Sequence, residues 1–127
     1  MRILHTMIRV GNLERAVAFY TEVLGMKELR RSEYPEGKFT LVFLGYQSEQ
    51  EGAVLELTYN WGVEAYEMGN AYGHIAIAVD DVAQACARVR EMGGSVVKEP
   101  GALRPGARPI AFIKDPDGYF IEFIQQD

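Results

Sequence analysis

Residues 5–27, HTMIRVGNLERAVAFYTEVLGMK, and residues 74–94, HIAIAVDDVAQACARVREMGG, are two versions of one pattern. Each opens on one of the chain's two histidines, and they run at a constant offset of about 69 residues. An alternating segment comes first, then a polar capping residue, then apolar residues at helical spacing, then glycine. In the first copy Leu4 to Val10 reads as a strand and Asn12 as the N-cap. Leu13, Ala16, Val17, Tyr20 and Leu24 then share a helix face up to the stop at Gly25. In the second copy Ile75 to Val79 is the strand and Asp80 or Asp81 the cap. Val82, Ala85, Cys86 and Val89 mark the helix, which Gly93 and Gly94 end.

Three more strands are expected after each helix. The first set lies near Lys27–Ser32, Phe39–Gly45 and Ala53–Thr58, the second near Ser95–Lys98, Pro109–Lys114 and Tyr119–Ile124. Asp115 to Gly118, DPDG, has the residues a tight hairpin turn requires. The segment Glu99 to Ala107, rich in Pro and Gly, reads as a surface loop, and Tyr34, Pro35 and Gly37 as a loop over the site. The fold class is therefore α+β: one domain over residues 1–127, built of two βαβββ repeats at about 1–60 and 70–127. Neither repeat covers both faces of its own sheet, so two units should pack together, within a chain or between chains.

Bulk properties narrow the function classes. With 127 residues, 48% hydrophobic and 24% charged, the composition is that of an ordinary globular domain. No apolar run is long enough to span a bilayer. The beginning, MRILHTMIRV, lacks the unbroken apolar core of a signal peptide. A single cysteine, Cys86, excludes an internal disulfide and fits a reducing compartment, so a cytoplasmic location is expected. The formal net charge of -5 speaks against nucleic acid, which selects for a basic face. A small anionic ligand remains compatible with it, because a few local cations outweigh a mild overall field.

Each repeat also carries one carboxylate inside an apolar strand, Glu56 in VLEL and Glu122 in FIEF. Alternate side chains on a strand share a face, so His5, Met7 and Arg9 point together, as do Val54, Glu56 and Thr58. A carboxylate among apolar neighbours is costly unless something neutralises it. A divalent cation does so, and His5, Glu56, His74 and Glu122 offer it two nitrogen and two oxygen donors. That donor set suits nickel, cobalt, zinc, iron or manganese, and two further positions left to water would keep the site open. On the His74 strand, Ala76 and Ala78 would leave room beside the ligand.

HTMIRV, FYTEVLGM, LELTYNWG, YGHIAIAV and AFIKDPDGYFIEF closely resemble glyoxalase I, the lactoylglutathione lyase family of the vicinal-oxygen-chelate superfamily, over essentially the whole chain. The resemblance implies curved sheets of paired βαβββ modules and a homodimer with two metal sites at the subunit interface. It implies that His5 and Glu56 come from one subunit and His74 and Glu122 from the other. The short chain and the histidine at the first ligand position look like the bacterial type that uses nickel or cobalt in preference to zinc.

The substrate so implied is the hemithioacetal of methylglyoxal and glutathione, isomerised to S-lactoylglutathione. Glutathione carries two carboxylates. Arg9, on the face of His5, could reach one of them, and Asn60, in the TYNWG loop, is the candidate to hold the glutamyl end. Lys98 and the Arg104–Arg108 loop look like a clasp for its glycyl end. Proton transfer between adjacent carbons needs a carboxylate base, and Glu122 is the main candidate. Glu56 would serve the other face of the carbon or stay on the metal. Two other classes compete: another metalloenzyme of the superfamily, and a sequestering protein without catalysis. A dioxygenase would use two histidines and one carboxylate rather than four donors, and a sequestering protein need not keep four.

Overall fold

Asn12, three residues beyond the first strand, starts the first helix. Its backbone is extended, at φ -145° and ψ 108°, and its side-chain oxygen accepts from the Arg15 amide at 3.0 Å. Asp81 does the same in the second half, accepting from the Gln84 amide at 3.0 Å. These are N-caps that satisfy an otherwise unpaired donor of the first helical turn.

The computed structural model describes residues 1–127 and divides into two units, Met1–Glu67 and Met68–Asp127. The first unit runs β1 (His5–Arg9), α1 (Leu13–Ala18), a π-helical turn (Phe19–Val23), β2 (Lys27–Tyr34), β3 (Phe39–Gly45) and β4 (Val54–Asn60). Its sheet has the order β1-β4-β3-β2, with β1 parallel to β4 and the other pairs antiparallel. The second unit runs β5 (His74–Val79), α2 (Val82–Glu91), β6 (Ser95–Ala102), β7 (Pro109–Lys114) and β8 (Phe120–Gln125). Its sheet repeats the plan as β5-β8-β7-β6. Each unit is thus a βαβββ module with a mixed four-stranded sheet. No helix is long and apolar enough to cross a membrane.

In the first unit Tyr20 from the helical segment, Val42 and Leu44 from β3 and Leu57 from β4 are all buried. Cys86 and Val89 from α2, Ile113 from β7 and Ile121 and Phe123 from β8 form the matching core of the second. Burial pushes the Cys86 thiol above its ordinary range, as expected of a packing residue rather than a nucleophile.

Most boundaries fall within two residues of those expected, and the larger departures have physical causes. The first helix does not continue regularly to Leu24; beyond Ala18 it widens into a π turn. There the Thr21 hydroxyl donates to the Val17 carbonyl at 2.8 Å, a bond that competes with the backbone ladder. β2 extends through Tyr34 rather than stopping at Ser32, because Tyr34 pairs with Phe39 and stacks on it at 4.8 Å. β6 passes through Pro100 to Ala102, where a loop from Glu99 was expected. Proline is tolerated because β6 is an edge strand and its register to β7 shifts between Lys98 and Gly101.

The DPDG segment forms the turn between β7 and β8. Asp115, only 5% exposed, accepts from the amides of Asp117 and Tyr119 at 2.9 Å each. Gly118 takes the left-handed φ of 97° that the turn needs. Asp115→Ala is expected to destabilise the protein by about 1–3 kcal/mol, because two part-buried amides lose a charged acceptor. Asp115→Asn, which keeps an acceptor oxygen, should cost less. Urea unfolding of the three proteins measures both.

Candidate metal centre

β1 and β4 lie side by side in parallel, with Met7 opposite Glu56 and His5 opposite Val54. That register sets the His5 imidazole beside the Glu56 carboxylate, with Nε2 2.9 Å from Oε1. β5 and β8 repeat the arrangement, and His74 Nε2 stands 3.1 Å from Glu122 Oε1. In both pairs the glutamate is sheltered, 12% and 14% exposed, while the histidine faces outward, 39% and 41% exposed. Within its own unit neither pair is joined by a third His, Cys, Asp or Glu.

These donors fit a divalent cation of the nickel, cobalt and zinc group. Imidazole nitrogen and carboxylate oxygen are the ligand types such ions take. Ligand distances of about 2.1 Å at right angles put two donors about 3 Å apart, close to the spacing seen in both pairs. A proton or a cation can therefore bridge either pair without moving the strands.

The two pairs differ in what surrounds them. The Thr58 hydroxyl, buried and two residues along β4, donates to Glu56 Oε2 at 3.3 Å. At the matching distance along β8 stands Ile124, which has no donor, and Glu122 makes no contact with a hydroxyl. Behind each histidine a phenylalanine meets the imidazole edge to face. The centroid distances are 5.6 Å for His5 and Phe43 and 5.1 Å for His74 and Phe112. Neither Thr58 nor the phenylalanines were among the expected site residues.

Each phenylalanine also faces a cation across the next strand pair, Arg30 opposite Phe43 and Lys98 opposite Phe112. Arg30 is fastened to Glu49 through two bonds of 2.7 and 3.1 Å. The Arg30 bond holds the Glu49 carboxyl below the ordinary carboxylate range. The Lys98 side chain is exposed and forms no hydrogen bond or ion pair.

The remaining expected residues take definite places. Arg9 ends β1, exposed, two residues beyond Met7 on the strand that carries His5. Asn60 is the last residue of β4, two residues beyond the expected end of that strand, and its amide donates to the Tyr66 hydroxyl at 2.9 Å. Trp61 donates to the buried Thr40 hydroxyl at 2.8 Å, and with Tyr59 it lines an open cleft of about 520 Å³ that neither His5 nor Glu56 borders. Arg108 is tied to the end of its own chain, reaching the Gln125 carbonyl at 3.3 Å and Asp127 at 3.2 Å.

Residues 2–123 match the family model described as the Glyoxalase/Bleomycin resistance protein/Dioxygenase superfamily. The chain belongs to this superfamily. Within it, the lactoylglutathione lyase of Salmonella typhimurium is 62% identical over 125 residues, which cover 98% of this chain and 93% of that one. The trypanothione-dependent glyoxalase I of Leishmania major superposes with a TM-score of 0.90 at 51% identity, covering 98% of this chain and 86% of the other. Glyoxalase I from Zea mays superposes at 0.95 with 46% identity; there the match covers 98% of this chain but 44% of the maize chain. Identity near 60% to several lactoylglutathione lyases, over nearly the whole of each, makes this chain an enzyme of that kind.

Proposed function

We propose that the enzyme isomerises the hemithioacetal of methylglyoxal and glutathione to S-lactoylglutathione, using one divalent cation per site, nickel or cobalt in preference to zinc. The duplicated His–Glu pair carries this reading. Two nitrogen–oxygen pairs, 2.9 and 3.1 Å across, stand at matching strand positions in two modules. Each module supplies two donors, and in keeping with the resemblance to glyoxalase I the four-donor site is assigned His5 and Glu56 from one subunit of a homodimer and His74 and Glu122 from the other. The lyase names of relatives 59–62% identical supply the substrate class. Cytoplasmic activity fits a chain whose one cysteine is buried and free.

When bound, the cation supplies Lewis-acid stabilisation of the charge that develops on the substrate's two neighbouring oxygens, worth several kcal/mol. The chain's own residues do the rest. Glu122 accepts the proton from the carbon next to the carbonyl and returns it to the adjacent carbon. Its neighbourhood supports that role, since nothing beyond His74 holds its carboxylate. Glu56, steadied by Thr58, suits a retained ligand. Arg9 is assigned to one of the two glutathione carboxylates, Asn60 to the glutamyl end, and Lys98, whose side chain is unpaired and exposed, to the glycyl end.

Metal removal tests the reading as a whole. Enzyme stripped with a chelator should form no thioester from methylglyoxal and glutathione. Added nickel or cobalt should restore the rate, and zinc should restore less. Thioester formation that persists in the stripped protein would overturn the metal-dependent mechanism.

A further inference from the structure

Read across the first sheet, the paired residues form the row Met7, Glu56, Phe43, Arg30; across the second they form Ala76, Glu122, Phe112, Lys98. Directly paired residues share a face of a sheet. Each row therefore sets a cation beside a phenylalanine that packs against the histidine of that half. The two cations behave differently. The Arg30 guanidinium lies over the Phe43 ring, 3.7 Å from its centroid, and closes the ring off so that Phe43 is 4% exposed. Lys98 covers nothing comparable, and Phe112 stays partly open.

Glu49 holds Arg30 in that place with both carboxylate oxygens. A bidentate fork fixes the plane of a guanidinium as well as its position. The loop carrying Glu49 is itself tied down, since Arg2 donates to the Glu49 carbonyl at 3.0 Å. The chain of contacts thus runs from Glu49 to Arg30, to the Phe43 ring, and then edge to face at 82° onto the His5 imidazole.

We propose that Arg30 is a positioning residue: clamped by Glu49, it holds Phe43 and through that ring fixes the His5 imidazole in the orientation that receives the cation. The cation part of this rests on the reading of His5 as a ligand; the orientation of the ring does not. Groups that orient a ligand from behind typically change metal affinity by 10–100-fold when lost. In the second half the equivalent place is held by an unpaired lysine, so His74 has no such brace. One half is built to hold its ligands still, and the other leaves its cation free for substrate.

The chain has two histidines, which makes the test internally controlled. In the metal-free protein, Arg30→Ala should shift and broaden the imidazole NMR signals of His5 and leave those of His74 in place. Glu49→Gln, which keeps the arginine and cuts its clamp, should move the same signals less. Lys98→Ala should move neither. Competition with a chelator should then show nickel binding about 10-fold weaker in Arg30→Ala and unchanged in Lys98→Ala.

If the His5 signals stay put in Arg30→Ala, or if both histidines respond alike, the positioning role is wrong. If His5 responds while nickel affinity equals that of the parent protein, the ring is oriented but not for the cation, and the proposal falls. Failure of the parent protein to bind nickel, cobalt or zinc would instead overturn the metal reading, and the His5 signals would still decide the role of Arg30.

Discussion

Glu122→Gln is expected to lower kcat by about 10²- to 10⁴-fold, the range lost with a general base, while substrate affinity changes little. Glutamine keeps the shape of the side chain and an oxygen that can face the cation, but it cannot take a proton from carbon. The parallel change Glu56→Gln should show the opposite balance: weaker metal binding and a smaller loss of kcat once metal is saturating. Thr58 grounds the difference. Its hydroxyl donates to Glu56, whereas Ile124 offers Glu122 nothing, so one carboxylate is steadied and the other is free to move. Rates of thioester formation at saturating nickel, read beside metal affinities from chelator competition, give both numbers. Near-normal turnover in Glu122→Gln would remove it from the chemistry. Equal losses in the two variants would mean that Thr58 does not break the symmetry.

The architecture was legible because each module states its own periodicity. Asn12 and Asp81 sit at matching points of the repeat, and both cap helices as their residue types require. The period-2 reading that set His5 with Glu56 and His74 with Glu122 needed a register, and the parallel pairing of β1 with β4 and β5 with β8 supplies it. The ring contacts behind the two histidines were hidden for a different reason. Phe43 and Phe112 obey the same offset of about 69 residues as the histidines, so the signal was present. A phenylalanine in an apolar strand nonetheless reads as core, and only the ring geometry separates packing from orientation. Arg30 is less visible still. A bulge between Glu28 and Arg30 shifts its register, and its partner Glu49 lies in a turn 19 residues away. Pro100 misled in the usual way, since its cost depends on whether a strand is at an edge, which composition does not tell.

The sharing of ligands between subunits can be tested with two inactive proteins. His5→Ala and His74→Ala should each lose metal and activity, because every site in either homodimer lacks one imidazole. Unfolded together and refolded as an equal mixture, they should regain activity. In a two-fold dimer each site takes His5 from one chain and His74 from the other. A mixed dimer then holds one site with both imidazoles and one with neither. Random pairing makes about half the dimers mixed, so about a quarter of the sites are intact. Activity should return to about a quarter of the parent level, and nickel content with it. A site built within one chain would give no recovery at any mixing ratio, since neither chain carries both histidines. The same experiment with His5→Ala and Glu56→Ala adds a directional control. Those two residues belong to one module, and their 2.9 Å contact lies within one chain. A mixed dimer of those two variants has one defect at each site, so it should remain inactive. Recovery in the first mixture and none in the second is the pattern expected of pairs kept whole within a module and combined across a dimer.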